Sequence, residues 1–386
     1  METMGKELYL DHHATTPVDP RVLEVMLPYF TQHFGNPASS NHSYGWVAEQ
    51  AVEKAREQVA ELVKAKSKEI IFTSGATESI NLAIMGILRQ YEPGAAHLIT
   101  SNTEHKATLE TAQAAQAMGY KVSFLPVDRY GQVHLDQVRE VVTDKTVLVS
   151  LIFANNEIGT INPIAEIGEF LSSKNILLHV DAAQAAGKVA IDVERMGIHL
   201  LSLSGHKIYG PKGVGALYIR GKNPRVRLKP LLTGGSQEHG IRPGTVNATG
   251  AIGIGKACEI MSLEGFSENS RLTSLRDKMW SMLQEKFSEI SLNGHPKHRL
   301  GHNLNVSFKN VHPDLFLANI KGLAISSGSA CSTGSTNPSH VLTAIGVNPE
   351  LCRTTLRFGL GKSTQEEDIR KAIDIVYGSY QKSRKG

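Results

Sequence analysis

One lysine stands where chemistry is feasible. Lys207 follows the apolar run Ile198–Leu203, inside Ser204-Gly-His-Lys-Ile-Tyr-Gly-Pro-Lys-Gly213. That run reads as a short buried strand, and Gly210-Pro211 breaks the chain beyond it. Most lysines are solvated surface groups. A lysine just past a buried strand instead sits at the carboxyl edge of a sheet, where open α/β sheets bind ligands. A second apolar run, Ile176-Leu-Leu-His-Val-Asp181, ends in a carboxylate and continues into Ala182-Ala-Gln184. Neighbouring strands of this kind deliver an amine and an acid to one rim. Pyridoxal phosphate uses that pair. A lysine amine holds its aldehyde as a Schiff base, and an aspartate keeps the pyridine nitrogen protonated so that the ring withdraws electrons.

Other stretches could serve the same rim. Glu69–Thr73 reads as a strand running into Ser74-Gly-Ala-Thr-Glu78, then a helix carrying Ile80, Ala83, Ile84 and Ile87. Free N–H groups at such a helix start bind phosphate, although Ser74 or Thr77 could equally be an ordinary cap. His105 follows the strand His97–Thr100 by way of Asn102-Thr-Glu. Asn36 offers an amide in the turn Phe34-Gly-Asn-Pro37. Arg357 lies on a late strand, Thr355–Gly359. Cys331 sits in Ser327-Gly-Ser-Ala-Cys-Ser-Thr-Gly-Ser335, a run of small residues that predicts a mobile, exposed loop. An exposed thiol there is either a reactive nucleophile or incidental. Cys258, on an apolar helix face, and Cys352 read as structural.

These groups must be carried by a large scaffold. With 386 residues the chain exceeds the usual single core and predicts two domains, with a boundary near Ser262–Glu268. Strand and helix alternate at least five times between residues 69 and 207, the pattern of a largely parallel sheet flanked by helices. No G-x-G-x-x-G follows any of these strands, so the dinucleotide fingerprint is missing. Thr233–Thr245 is a glycine-rich polar loop too long for a simple connector. Hydrophobic residues make up 41% and charged ones 20%, as in soluble globular proteins. The formal net charge of +4, with acids and bases mixed, does not argue for nucleic acid. The three cysteines include no CxxC pair, which speaks against a disulfide framework and a zinc site. The polar N-terminus and the lack of a long apolar run predict no membrane segment and a cytoplasmic location.

Taken in order, the motifs resemble those of the cysteine desulfurases. They are Ala14-Thr-Thr-Pro17, Phe34-Gly-Asn-Pro37, Thr73-Ser-Gly-Ala-Thr-Glu78, Thr103-Glu-His105, Asn155-Asn-Glu-Ile-Gly159, His179-Val-Asp181, the Lys207 stretch, Arg242-Pro-Gly-Thr245, Ser326-Ser-Gly-Ser-Ala-Cys331 and Arg357-Phe-Gly-Leu-Gly361. The resemblance covers nearly the whole chain. It implies a fold-type I pyridoxal phosphate enzyme, with a large domain (15–262) built on a mostly parallel seven-stranded sheet. A smaller α+β domain (1–14 and 263–386) would carry the Cys331 loop.

The implied activity converts L-cysteine to L-alanine and moves the sulfur onto Cys331 as a persulfide, for delivery to iron–sulfur cluster or thiolation pathways. A cysteine or selenocysteine lyase, or an aminotransferase of the same fold, is the alternative. Position by position, Lys207 is the Schiff-base lysine, Asp181 the pyridine-nitrogen partner and His105 the group stacked on the ring. Asn156 and Gln184 contact the ring hydroxyl region. Ala76, Thr77, Ser204 and His206 hold the phosphate, and Thr245 reaches the phosphate of the neighbouring subunit of a homodimer. Asn36 and Arg357 hold the substrate carboxylate. No resident metal is implied, although Cys331 could transiently ligate an iron–sulfur cluster. Relatives that dock an iron–sulfur scaffold often carry a longer C-terminal extension than this chain does.

Overall fold

The computed structural model describes residues 7–327 and 338–385. Seven strands form the central sheet: β1 (Ile70–Thr73), β2 (His97–Ser101), β3 (Lys121–Leu125), β4 (Thr146–Ile152), β5 (Leu177–Asp181), β6 (Leu200–Ser204) and β7 (Gly215–Ile219). Their order across the sheet is β1-β7-β6-β5-β4-β2-β3, and β7 alone runs against the rest. The inner strands are buried almost throughout, as expected where helices cover both faces of a parallel sheet. This agrees with the seven-stranded, mostly parallel sheet expected from the motifs.

One apolar cluster lies on each face of this sheet. The larger gathers Ile99, Val149, Leu151, Leu178, Val180, Leu201 and Leu203 from the strands. The other packs Ile80, Ile84, Ile87 and Leu88 of the helix Ala76–Leu88 against Leu98, Leu148 and Leu217. Alternate side chains of each strand thus feed opposite layers.

A second, smaller sheet of four strands lies outside this body. It is formed by β8 (Ile290–Leu292), β9 (Asn303–Phe308), β10 (Ser326–Ser327) and β11 (Thr355–Gly359), in the order β10-β11-β9-β8 and antiparallel throughout. Its core is Phe308, Phe316, Phe358, Leu304 and Val306, packed with Ile369, Ile373 and Val376 of the last helix, Glu366–Ser383. The N-terminal residues Leu8–Tyr9 pair with Leu323–Ala324, so the start of the chain joins this smaller body.

The helix Ala248–Lys286 runs 39 residues without a break through the stretch Ser262–Glu268. Its first half buries Ala251, Ile254, Ala257 and Cys258 in the large core, and its second half buries Leu272, Met279 and Leu283 in the small one. Among the described residues, no helix is long and apolar enough to cross a membrane.

Candidate active site

The parallel strands end together on one rim. Asp181, the last residue of β5, pairs with Ile152 on one side and Ser202 on the other. Two residues beyond Ser202, β6 ends at Ser204 and turns through Gly205–Lys207. Lys207 and Asp181 therefore reach the same side of the sheet from adjacent strands. They share the wall of a cavity of about 490 Å³, within the usual range for a small-molecule site.

The other walls come from more distant parts of the chain. His105 caps the helix Lys106–Ala117, its Nδ1 accepting from the Ala107 N–H at 3.1 Å. Burial pushes the His105 imidazole below its ordinary pKa, against the pull of Asp181, so the ring that faces the cavity is neutral. Asp181 is held the other way. Burial raises its carboxyl, while His105, the Ala183 N–H at 2.9 Å and Lys207 favour the charged form. A protonated ring nitrogen beside it would supply the positive partner that this buried carboxylate needs.

Lys207 Nζ donates to the carbonyls of His13 at 2.5 Å and Ala14 at 2.8 Å. The same His13 carbonyl accepts from Gln184 Nε2 at 3.0 Å, and the His13 ring meets Gln184 Oε1 at 3.2 Å. The N-terminal segment is thereby stitched to the rim from which Lys207 projects.

At the far wall the helix Ala76–Leu88 begins. Its N-cap, Gly75, has φ 155° and offers no side-chain cap, so the first-turn N–H groups of Ala76 and Thr77 have no capping side chain. No described atom lies within 4 Å of the place a Cβ on Gly75 would take. On the sheet side the fit is tight: a Cβ on Gly215 would stand 2.6 Å from the Gly75 Cα. Glu78 shapes the turn, accepting from the Ser74 N–H at 2.7 Å and from Arg242 Nε at 2.9 Å. A helix start of this kind, flanked by Ser204, His206 and Lys212, suits a phosphate group. Amine, buried acid, neutral imidazole and phosphate cradle together fit pyridoxal phosphate.

Of the expected site residues, Ala76, Thr77, His105, Asn156, Asp181, Gln184, Ser204, His206 and Lys207 all line this cavity. Arg357 lies beside it. Its guanidinium donates to the Asn156 carbonyl at 3.0 Å, Asp11 Oδ1 at 2.8 Å and Ser326 Oγ at 2.7 Å. Asn36 and Thr245 do not line the cavity. Cys331 lies outside the described residues. Sequence reasoning did not single out Thr15, Gly75 or Lys212, which also line the cavity, nor the role of His13. The signals were present in the glycine before a helix start and in Pro211-Lys-Gly213 after the lysine.

Comparison with known proteins identifies the family. The family model for class-V aminotransferases matches residues 8–371. The chain is 48% identical over 377 residues to the cysteine desulfurase IscS of Anaeromyxobacter dehalogenans (strain 2CP-C), covering 98% of this chain and 93% of that relative. Among solved structures, a NifS-like protein superposes with a TM-score of 0.90 at 35% identity, covering 97% of this chain and 99% of that one. A structure described as SspA in complex with cysteine superposes with a TM-score of 0.82 at 38% identity, covering 91% and 98%. The chain belongs to the class-V aminotransferase family and, within it, to the pyridoxal-phosphate-dependent cysteine desulfurases.

Proposed function

We propose that this chain converts L-cysteine to L-alanine at the Lys207 cavity and passes the sulfur to Cys331. The observation that carries the reading is the meeting of Lys207, Asp181, His105 and an uncapped helix start around one cavity. Lys207 would hold the cofactor aldehyde, Asp181 the ring nitrogen, His105 the ring face, and the Ala76–Thr77 turn the phosphate. Pyridoxal phosphate bound there supplies the electron sink for the substrate α-carbon.

The chain's own groups supply the rest. Lys207 Nζ would take the α-proton as general base. The Arg357 guanidinium is suited to a carboxylate in a two-point clamp, with Asp11 fixing its plane. The Cys331 thiolate attacks the substrate sulfur. One S–S bond forms, the bond from the β-carbon to sulfur breaks, the β-carbon takes a proton and the α-carbon regains one from Lys207, leaving alanine and a persulfide. Sulfur then passes to an acceptor, such as an iron–sulfur scaffold or a thiolation protein.

Two variants test the assignment. Lys207→Ala should abolish the visible absorbance of the holoenzyme and lower alanine production by more than about 100-fold. Cys331→Ala should keep the absorbance and lose sulfur transfer. Undiminished turnover of free cysteine in Cys331→Ala would instead mean a lyase.

The reading includes a homodimer. Phe30, Phe34, Tyr44 and Trp46 are each more than half exposed, and Asn36 lies within the same stretch. Exposed aromatic surface of this extent is typical of interfaces. Thr245, at the end of the Thr233–Thr245 loop, would meet the second copy. Sedimentation velocity should give twice the chain mass, and a monomer at micromolar concentration would overturn this part.

A further inference from the structure

Behind the turn that carries Lys207 lies a small chamber of about 20 Å³, to which His12, Lys188, Glu268, Asn269 and His302 contribute. Lys188 Nζ donates to the backbone carbonyl of Lys207 at 3.0 Å. Around it, both ring nitrogens of His12, both of His302 and Asn269 Oδ1 lack a hydrogen-bond partner among the described residues. His12 and His302 are only 3% exposed. Buried polar atoms are rarely left so. Here they surround an amine with up to three donors. The reaction as described does not use Lys188.

We propose that Lys188 is a positioning residue for Lys207: it clamps that residue's carbonyl and sets a positive charge behind it, which disfavours a proton on the Lys207 nitrogen. The proposal rests on the reading of Lys207 as the cofactor lysine.

Asp181 faces Lys207, and Asp11, Lys212, Arg276 and Arg357 act on the histidines nearby, but these groups are the same in every variant compared below. Burial pushes His12 and His206 down to about 4, and holds His13 and His302 well below the ordinary histidine value. Burial raises the Tyr209 phenol to about 12. These groups are neutral at neutral pH, and the Glu268 carboxylate is paired with Arg271 at 2.7 Å. Lys188 itself is brought to about 7 by burial, with the charge of Lys207 acting in the same direction. Below that pH Lys188 is an ammonium and repels a proton from Lys207. Above it the repulsion fades.

The test is a pH titration of the visible absorbance of the holoenzyme in wild type, Lys188→Met and Lys188→Arg. Methionine keeps the stem without charge, and arginine stays charged throughout. The expected order of midpoints is Met above wild type above Arg, with Met displaced upward by roughly one pH unit. Coincident midpoints, or a Met midpoint below wild type, overturn the proposal. Should Lys188→Met fail to fold, Lys188→Gln must show the same upward displacement. Visible absorbance that survives Lys207→Ala would be a separate failure, of the cofactor-lysine reading itself.

Discussion

Glu104 precedes the ring-facing His105 and is fully buried. Ser101 Oγ donates to its Oε1 at 2.7 Å, while Oε2 has no partner among the described residues. Burial raises this carboxyl to about 8, and the nearby Asp181 charge adds to the rise. The folded chain therefore holds a proton that the unfolded chain releases above about 4.5. The stability that Glu104 contributes should fall as pH rises from about 4.5 to 8, opposite in sign to the effect of the buried histidines. Glu104→Gln removes that slope, so its melting temperature should gain steadily on wild type across this window. Parallel curves would show that Glu104 is ionised in the fold. Lys207, Asp181 and His105 were legible in the sequence because each follows an apolar strand and carries a group with few other reasons to be there. Lys188 was not. Nothing in Ala186-Gly-Lys188 shows that its amine returns to a carbonyl 19 residues later.

At the scale of elements, the glycine-rich loop Thr233–Thr245 is tied down by Arg242, paired with Glu78, and by the buried Glu238. Glu238 takes a two-point ion pair from Arg56, at 2.8 Å to each oxygen, and accepts from the Phe72 N–H of β1 at 2.7 Å. Arg56 reaches it from the helix Ser43–Val63 and also donates to the Ile70 carbonyl at 2.7 Å. Both partners are buried. Glu238→Ala would leave the buried Arg56 with only the exposed Glu53, at 3.0 Å, so it should destabilise the fold by about 3 kcal/mol in chemical denaturation. A loss within about 0.5 kcal/mol, typical of surface substitutions, would mean that the loop does not depend on this anchor. The sequence revealed a loop too long for a connector. It could not reveal the anchor, because Arg56 reads as one more charge on an amphipathic helix and Glu238 as one more polar residue in a turn. The strands were easier, since a central parallel strand is apolar on both faces and announces itself as a run.

At the scale of the molecule, burial has left many histidines neutral. His179, between Ser150 Oγ at 2.8 Å and Ser202 Oγ at 2.9 Å, is pushed down to about 3. His12, His97 and His199 are each pushed to about 4, again chiefly by burial. In the unfolded chain they would take protons near 6.5. Their lowered values mean that the stability they contribute is complete above about 6.5 and is lost as pH falls toward 4. The melting temperature should therefore drop steeply through that window, and a flat profile would contradict the burial of these rings. Chain length led to an expectation of two domains, with a boundary near Ser262–Glu268 that here lies within one helix. The interleaving of N-terminal residues with the smaller body was not legible from chain length, since it depends on the pairing of Leu8–Tyr9 with residues more than 300 positions away.

The unbroken helix Ala248–Lys286 has one more implication. A rod fixed at both ends transmits tilt: rocking of the outer lobe would turn about this shaft rather than about a slack tether. Motions that bring Arg357 toward or away from the Lys207 rim should then be small, stiff rotations, and a chain severed at the seam would lose the axle on which both halves are mounted.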